Sequence, residues 1–228
     1  MPHPLFHLLH LSDPNLPIGG FSHSSGLETY VQNGLVTDEK SARIFIREML
    51  QKNLFYNDAM YLSFAYQACV ADDLSALKKL DLHCNATKLS KEIRIASQKL
   101  GLRLLKIFDE ICSSTLFSKY SKLVKQQNAF GHYCIAFAVI AHDLKINLKD
   151  SLTGFYYNAA SGFVTNCVKL IPLGQQTGQK ILFELIPLIE ELVTAGLTPS
   201  TDQLGLCSVG FDLRAMQHEN LYSRLYMS

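Results

Sequence analysis

Apolar residues recur at helical spacing along almost the whole chain of 228 residues. One such stripe consists of Ile93, Ala96, Leu100, Leu104, Ile107 and Phe108. Sustained alternation of apolar and polar residues, which indicates a half-buried strand, is almost absent, and no Asn-Gly or Asp-Gly hairpin joins two such runs. The pattern therefore predicts an all-α fold, built as a single-domain helical bundle of about eight to ten helices.

Caps and breaks divide this pattern into individual helices. The predicted helix starts are Thr37, Asn57-Asp58, Asp72 or Asp73, and Thr87 or Ser90. Further helical patterns cover approximately residues 116–125, 130–143, 148–170, 176–193 and 211–228. Short breaks are predicted at Asn85, Gly131, Asn147 and Gly174. Pro187 falls inside one helical pattern, where proline costs about 3 kcal/mol, so we expect a kink or a break there.

Composition excludes several classes of protein. Hydrophobic residues make up 48% of the chain and charged residues 18%, which indicates a globular protein with apolar surface to spare for partners. Lys and Arg number 21 against 20 acids, so no net field would attract nucleic acid. The longest apolar run, residues 133–141, is too short to cross a bilayer. We therefore expect neither a nucleic-acid nor a membrane partner.

The cysteines and the first residues indicate a cytoplasmic location. No Lys or Arg precedes Lys40, so the basic start of a secretory signal is not seen. The six cysteines are scattered without a C-x-x-C pair that would suggest zinc or redox chemistry. We expect them to be reduced, buried thiols in a cytoplasmic protein.

Signals of catalysis are weak. Ser22, Ser24 and Ser25 lie near His23, but the G-x-S-x-G elbow of a serine hydrolase is missing. Gly19-Gly20 lacks the Lys-Ser/Thr that completes a phosphate-binding loop. The chain is therefore predicted not to be an enzyme and not to bind a nucleotide or another cofactor itself.

Three histidines near the start of the chain leave a metal site open as an alternative. His3, His7 and His10 follow the spacing i, i+4 and i+7, which would align their rings along one helix that starts at Pro4. Imidazole pairs of this kind bind Ni²⁺ or Zn²⁺, but the same spacing suits a plain amphipathic segment. His132 and His142 flank a core helix and are interpreted as polar groups at its ends.

The most organised stretch is LSDPNLPIGGFSHSSGLETY, residues 11–30. Its prolines and its Gly19-Gly20 pair predict a rigid approach, a sharp turn and then a helix start. Two further motifs, residues 166–175 and residues 216–219 leading into 221–226, follow in the same order as in a known family. Together they resemble the UreF family of urease accessory proteins, and the last motif is similar to the version in gastric Helicobacter-type bacteria.

The resemblance implies an all-helical homodimer without catalytic activity. Such a chaperone scaffold joins the GTPase UreG to the accessory protein UreH, also called UreD, for nickel insertion into apo-urease. Nickel and GTP would belong to the partner complex. It further implies one UreF-like domain over residues 1–228, with residues 1–20 as an N-terminal arm and residues 216–228 as a partner-binding C-terminal tail.

The resemblance also implies roles for single residues. Glu28 and Lys169 would belong to the face that engages UreG, and Phe21 to assembly of the complex. Phe21 stands where many members have Tyr, so any hydrogen bond of that hydroxyl is lost here. Both charges stand alone among apolar residues in the sequence, as a specificity contact requires, but a solvated Glu and a snorkelling Lys would give the same pattern.

The tail is the second predicted partner surface. Leu221, Tyr222, Leu225 and Tyr226 would form an apolar edge of a short terminal helix, with Arg224 on the other side. The resemblance implies that this segment inserts into UreH/UreD. Two alternatives remain: a GTPase-activating protein that uses Arg224 as a finger, and a helical metal-binding enzyme that uses His23 or the three histidines near the start.

Overall fold

The computed structural model describes residues 3–20, 23–222 and 224–225. These residues form twelve α-helical segments, one π-helical segment and one 3-10 turn, and no β-strand, so the predicted all-α fold is confirmed. The α-helices are α1 Pro4–Leu11, α2 Leu27–Gln32, α3 Glu39–Glu48, α4 Met60–Val70, α5 Leu74–Thr87, α6 Lys91–Phe108, α7 Thr115–Lys125, α8 Tyr133–Asp143, α9 Leu148–Leu170, α10 Gln175–Glu184, α11 Ile186–Gly196 and α12 Val209–His218. The segments outnumber the predicted eight to ten, partly because residues 176–193 are divided between two helices.

Helices α3 and α4 are joined by a π-helix, Met49–Ala59, into one continuous rod. The predicted new start at Asn57-Asp58 is therefore wrong. The N-cap of α3 is Asp38, one residue after the predicted Thr37, because the Asp38 carboxylate accepts the backbone N–H of Ser41 at 2.8 Å. The wider π-helical turn leaves carbonyls free for other partners, and Tyr56 O accepts the N–H of Gly205 at 3.0 Å.

Helix α8 is the centre of the core. Every residue from Cys134 to Ala141 is buried, which confirms the interpretation of this apolar run as a core helix. Helices α4 and α6 pack on α8, and α9 packs against α10 and α11. A Cβ at Gly101 of α6 would overlap the carbonyl oxygen of Gly131, so glycine is required for this close approach.

A buried carboxylate holds the loop that leads into α8. Asp81, on α5, accepts the backbone N–H groups of Phe130, Gly131 and His132, the last two at 3.2 and 3.0 Å, and the hydroxyl of Tyr120 at 3.3 Å. The His132 ring lies 3.1 Å from the Ser97 hydroxyl, and burial lowers the pKa of His132 to about 3. His132 is thus a neutral polar group at the start of a core helix, as predicted.

Of the other predicted helix boundaries, some are correct and one is wrong. Helix α9 has the predicted limits, capped by the Asn147 side chain on the N–H of Asp150 at 2.8 Å. Pro187 lies at the start of α11, directly after the break at Leu185, as expected. The break predicted at Asn85 is wrong because this residue lies inside α5.

Five of the six cysteines are buried free thiols, as predicted, but Cys207 is exposed. The Cys207 thiol lies 3.1 Å from a carboxylate oxygen of Asp212, in the first turn of α12. None of the helices in the described part of the chain is long and apolar enough to cross a membrane.

Candidate functional site at the junction of the three motifs

The first motif is held in a turn by a long arginine from α6. Arg103 donates a hydrogen bond from Nη1 to the carbonyl oxygen of Ile18 at 2.9 Å. Gly19 has a φ of 86°, and a Cβ there would overlap the same guanidinium. Gly26, with a φ of 78°, then caps α2, and a Cβ at this glycine would lie 3.4 Å from Ala215 of α12. The first motif therefore packs directly on the helix of the third motif.

The second motif meets the first through a buried amide. Asn166, near the end of α9, donates its side-chain N–H to the carbonyl oxygen of His23 at 3.0 Å. Burial, followed by the charges of Lys99 and Arg103, lowers the pKa of His23, so its ring is neutral at physiological pH. Lys169 lies in the last turn of the same helix and is exposed.

The third motif places a histidine between two carboxylates. The ring of His218, the last residue of α12, is fully buried. Its Nε2 lies 2.9 Å from one carboxylate oxygen of Glu28, and its Nδ1 lies 2.7 Å from one oxygen of Glu92 on α6. His218 thus joins helices α2, α6 and α12.

The same two carboxylates hold the tail. The other oxygen of Glu28 accepts the backbone N–H of Leu225 at 2.6 Å, and the other oxygen of Glu92 accepts Nη1 of Arg224 at 2.6 Å. We call Glu28, Glu92, His218 and Arg224 the charge cluster. The two groups through which the tail binds the carboxylates are polar. The side chains of Tyr222 and Leu225 face solvent, with Leu225 69% exposed.

These contacts correct three predictions. Glu28 is 4% exposed, so it is neither a solvated glutamate nor a surface charge. Arg224 forms an ion pair with Glu92 of the same chain at 2.6 Å and does not project freely into solvent. Helix α12 ends at His218, and residues 221, 222, 224 and 225 are not helical, so the predicted terminal helix is wrong for them.

The structure does not test the predictions for three other site residues. Phe21 and Tyr226 lie outside the described residues. Lys169 is exposed, which suits a partner contact, and its assignment stays a prediction. Sequence reasoning missed Glu92, whose only signal was its place as the acid in the first turn of α6.

The three histidines near the start of the chain do not converge. His3 caps α1 through the N–H of Leu5 at 3.2 Å, and a ring nitrogen of His7 lies 3.1 Å from the carbonyl oxygen of Leu144. His10 packs against the ring of Phe108 with centroids 5.5 Å apart. Within residues 3–20, 23–222 and 224–225, no three His, Cys, Asp or Glu side chains are grouped to hold a metal ion.

A cavity of about 230 Å³ lies beside the junction. Its walls include His23, Asn166 and a buried ion pair that sequence reasoning missed. In this pair, Lys88 donates from Nζ to Asp58 at 2.9 Å and to the carbonyl oxygen of Asn57 at 3.1 Å. Burial alone would lower the pKa of Lys88, but the Asp58 carboxylate together with Cys84 and Cys134 outweighs it, and the pKa is raised.

Fold and junction together define an all-α protein in which the first motif contacts both the second and the third, and in which a charge cluster joins it to the third. The UreF family model matches residues 36–186. A urease accessory protein UreF from Actinobacillus pleuropneumoniae serotype 3 (strain JL03) is 46% identical over 221 residues, which cover 97% of each chain. A namesake from Haemophilus influenzae (strain ATCC 51907 / DSM 11121 / KW20 / Rd) is 45% identical over 97% of this chain and 94% of its own. One from Bacillus sp. (strain TB-90) is 37% identical over 98% and 99%. The chain belongs to the UreF family of urease accessory proteins.

Proposed function

We propose that this chain is a non-catalytic adaptor of urease maturation, a scaffold that joins UreG to UreH/UreD and lets the assembly insert nickel into apo-urease. Family membership over nearly the full chain supports the general role. The observation that carries the adaptor mechanism is the tail, whose backbone N–H at Leu225 is bound by Glu28 while the side chains of Tyr222 and Leu225 face solvent. Nickel and GTP belong to the partners in this proposal, and the location is cytoplasmic.

The tail has the properties of a contact for UreH/UreD. Tyr222 is fully exposed and Leu225 largely so, which leaves an aromatic and an aliphatic side chain in water on the same short segment. Exposed anchors of this kind are enriched at protein interfaces because their burial in a partner supplies most of the binding energy. The charge cluster fixes the tail backbone before the partner binds, so less conformational entropy is lost on binding.

The UreG face is proposed around Lys169 and Phe21. Lys169 is an exposed cation in the last turn of α9, three residues after the amide that contacts the first motif. Glu28 cannot contact UreG directly from its buried position. We therefore assign it an indirect effect on partner binding, through His218 and the tail that it binds.

The two alternatives receive less support from the geometry. A finger mechanism would require Arg224 to leave Glu92, to which it is paired at 2.6 Å. A metal-binding enzyme would require converging ligands. His3, His7 and His10 have separate partners, and among the described residues His23 belongs to no group of three His, Cys, Asp or Glu side chains that could hold a metal ion.

A crossed experiment tests the adaptor. Deletion of residues 222–228 should weaken binding to UreH/UreD at least about thirtyfold, or about 2 kcal/mol, because the exposed anchors are removed. Lys169→Ala should instead weaken capture of UreG, while Lys149→Ala, an exposed lysine at the other end of α9, serves as the control. Pull-downs of each variant with each partner, together with urease activity in cells, measure the effects.

Each lesion should affect one partner only. Unchanged UreH/UreD binding by the truncated chain would contradict the tail assignment, and equal UreG capture by the two lysine variants would contradict the Lys169 assignment.

We place the predicted homodimer contact on α1. Leu5, Phe6 and Leu9 of this helix are exposed, with Phe6 at 66%, while Leu11 packs into the core. Phe6→Asp should therefore convert the dimer to a monomer without loss of the fold, as measured by light scattering after size-exclusion chromatography. Val70→Asp changes an equally exposed apolar residue on α4 and should leave the dimer intact. A Phe6→Asp variant that stays dimeric would refute this placement.

A further inference from the structure

We propose that His218 is a positioning residue that carries a proton on both ring nitrogens and thereby orients Glu28 and Glu92 to hold the tail. The inference concerns how the tail is presented, and it rests on the proposed function only for the identity of the partner that the tail meets.

The hydrogen-bond geometry carries the protonation state. A neutral imidazole has one N–H donor and one acceptor nitrogen, whereas an ionised carboxylate only accepts. Both nitrogens of His218 face carboxylate oxygens, at 2.7 and 2.9 Å, in a fully buried position. If both carboxylates are ionised, a neutral ring would set one lone pair against a carboxylate oxygen, whereas the imidazolium donates to both.

The balance of charge leads to the same state. Two ionised carboxylates, one imidazolium and one guanidinium sum to zero. Glu28 and His218 are the buried members, and buried charges are tolerated when they are paired and hydrogen-bonded. A neutral His218 would instead give the charge cluster a net negative charge, since Arg224 would be its one cation. The charged groups that act on the neighbouring His23 are Lys99, Arg103 and Glu92, all on α6, and burial keeps that ring neutral.

Each carboxylate uses one oxygen for His218 and the other for the tail. Glu28 binds His218 through Oε2 and the N–H of Leu225 through Oε1, and Glu92 divides its oxygens between His218 and Arg224 in the same way. The imidazolium therefore fixes the rotamers of both glutamates, which places Oε1 of Glu28 at the N–H of Leu225 and Oε1 of Glu92 at Arg224. This arrangement explains how a buried Glu28 can affect a partner surface, since any change at Glu28 reaches the tail directly.

The test combines a spectroscopic signature with a compensating pair of variants in the full chain. At neutral pH, the ¹⁵N spectrum of the His218 ring should show both nitrogens protonated. His218→Gln should accelerate hydrogen exchange at the Leu225 amide at least about tenfold, because a glutamine would face one of the two carboxylates with its oxygen, which cannot donate. Binding to UreH/UreD should weaken in parallel.

The double variant Glu28→Gln/His218→Gln should restore slow exchange at Leu225. In it, the side-chain amide introduced at position 28 donates to the side-chain oxygen introduced at position 218. The amide at position 218 then donates to Glu92, and the side-chain oxygen at position 28 still accepts the N–H of Leu225. A merely structural histidine would not be rescued by a second change at Glu28.

Two results would overturn the proposal: one unprotonated nitrogen in the ring spectrum of the unaltered chain, or a double variant that exchanges as fast as His218→Gln. The ring spectrum needs no variant, so a misfolded His218→Gln chain would not protect the proposal. Faster exchange with unchanged UreH/UreD binding would support the positioning of the tail by His218 and would refute the tail as the UreH/UreD contact.

Discussion

Asp81→Ala is expected to lower the free energy of unfolding by about 3–5 kcal/mol. The substitution removes the acceptor of three backbone N–H groups, those of Phe130, Gly131 and His132, and of the Tyr120 hydroxyl. A buried donor that loses its partner costs about 1–3 kcal/mol, and these donors are in or beside the loop that starts the central helix α8. Urea denaturation at neutral pH, followed by circular dichroism, measures the change.

The control is an aspartate whose ion pair lies on the surface. Asp109 pairs with Lys125 at 2.8 Å with both side chains exposed, so Asp109→Ala should cost under about 1 kcal/mol. If the two variants unfold at similar urea concentrations, Asp81 is not the structural acceptor that its contacts indicate.

Lys88→Met is the second change with a large expected effect, also about 3–5 kcal/mol. It leaves the Asp58 carboxylate and the carbonyl oxygen of Asn57 without their shared cation. Removal of one partner from a buried ion pair costs this much because the remaining charge stays desolvated. The free energy of unfolding from urea melts gives the magnitude.

Two further variants separate loss of the ion pair from loss of a lysine. Lys91→Met makes the same chemical change at an exposed position and should stay within about 0.5 kcal/mol of the unaltered chain. Asp58→Asn on the Lys88→Met background should recover at least about half of the loss, since neither position then carries a charge. If the double variant recovers none of the lost free energy of unfolding, the loss comes from packing and not from the unpaired charge.

Local signals were enough to predict much of the fold. Helix α9 could be predicted to the residue because Asn147 caps its start and a helical apolar pattern fills its length. Pro187 marked the boundary of α11 because proline fits the first turn of a helix and not its interior. Both features act within a few residues of the boundary that they determine.

The π-helix and the burial of Glu28 could not be predicted in this way. A periodicity of 3.6 residues does not reveal the wider turn of Met49–Ala59. Glu28 looked like a surface charge because its partners lie on other elements, with Glu92 bridged to it through His218. Contacts of such sequence separation leave no local pattern, although the three motifs do indicate which segments meet.

The contact between Glu28 and Leu225 joins positions 197 residues apart. At the usual rate of protein synthesis, roughly 10–40 s pass between translation of the first residue and of the second. Before that interval ends the nascent chain can form α2 and α6, but until then the carboxylate oxygens of Glu28 and Glu92 that bind the tail have no partner in it. A chain whose translation stops before residue 225 never gains this contact, so the junction distinguishes a prematurely terminated product from a chain translated through the tail.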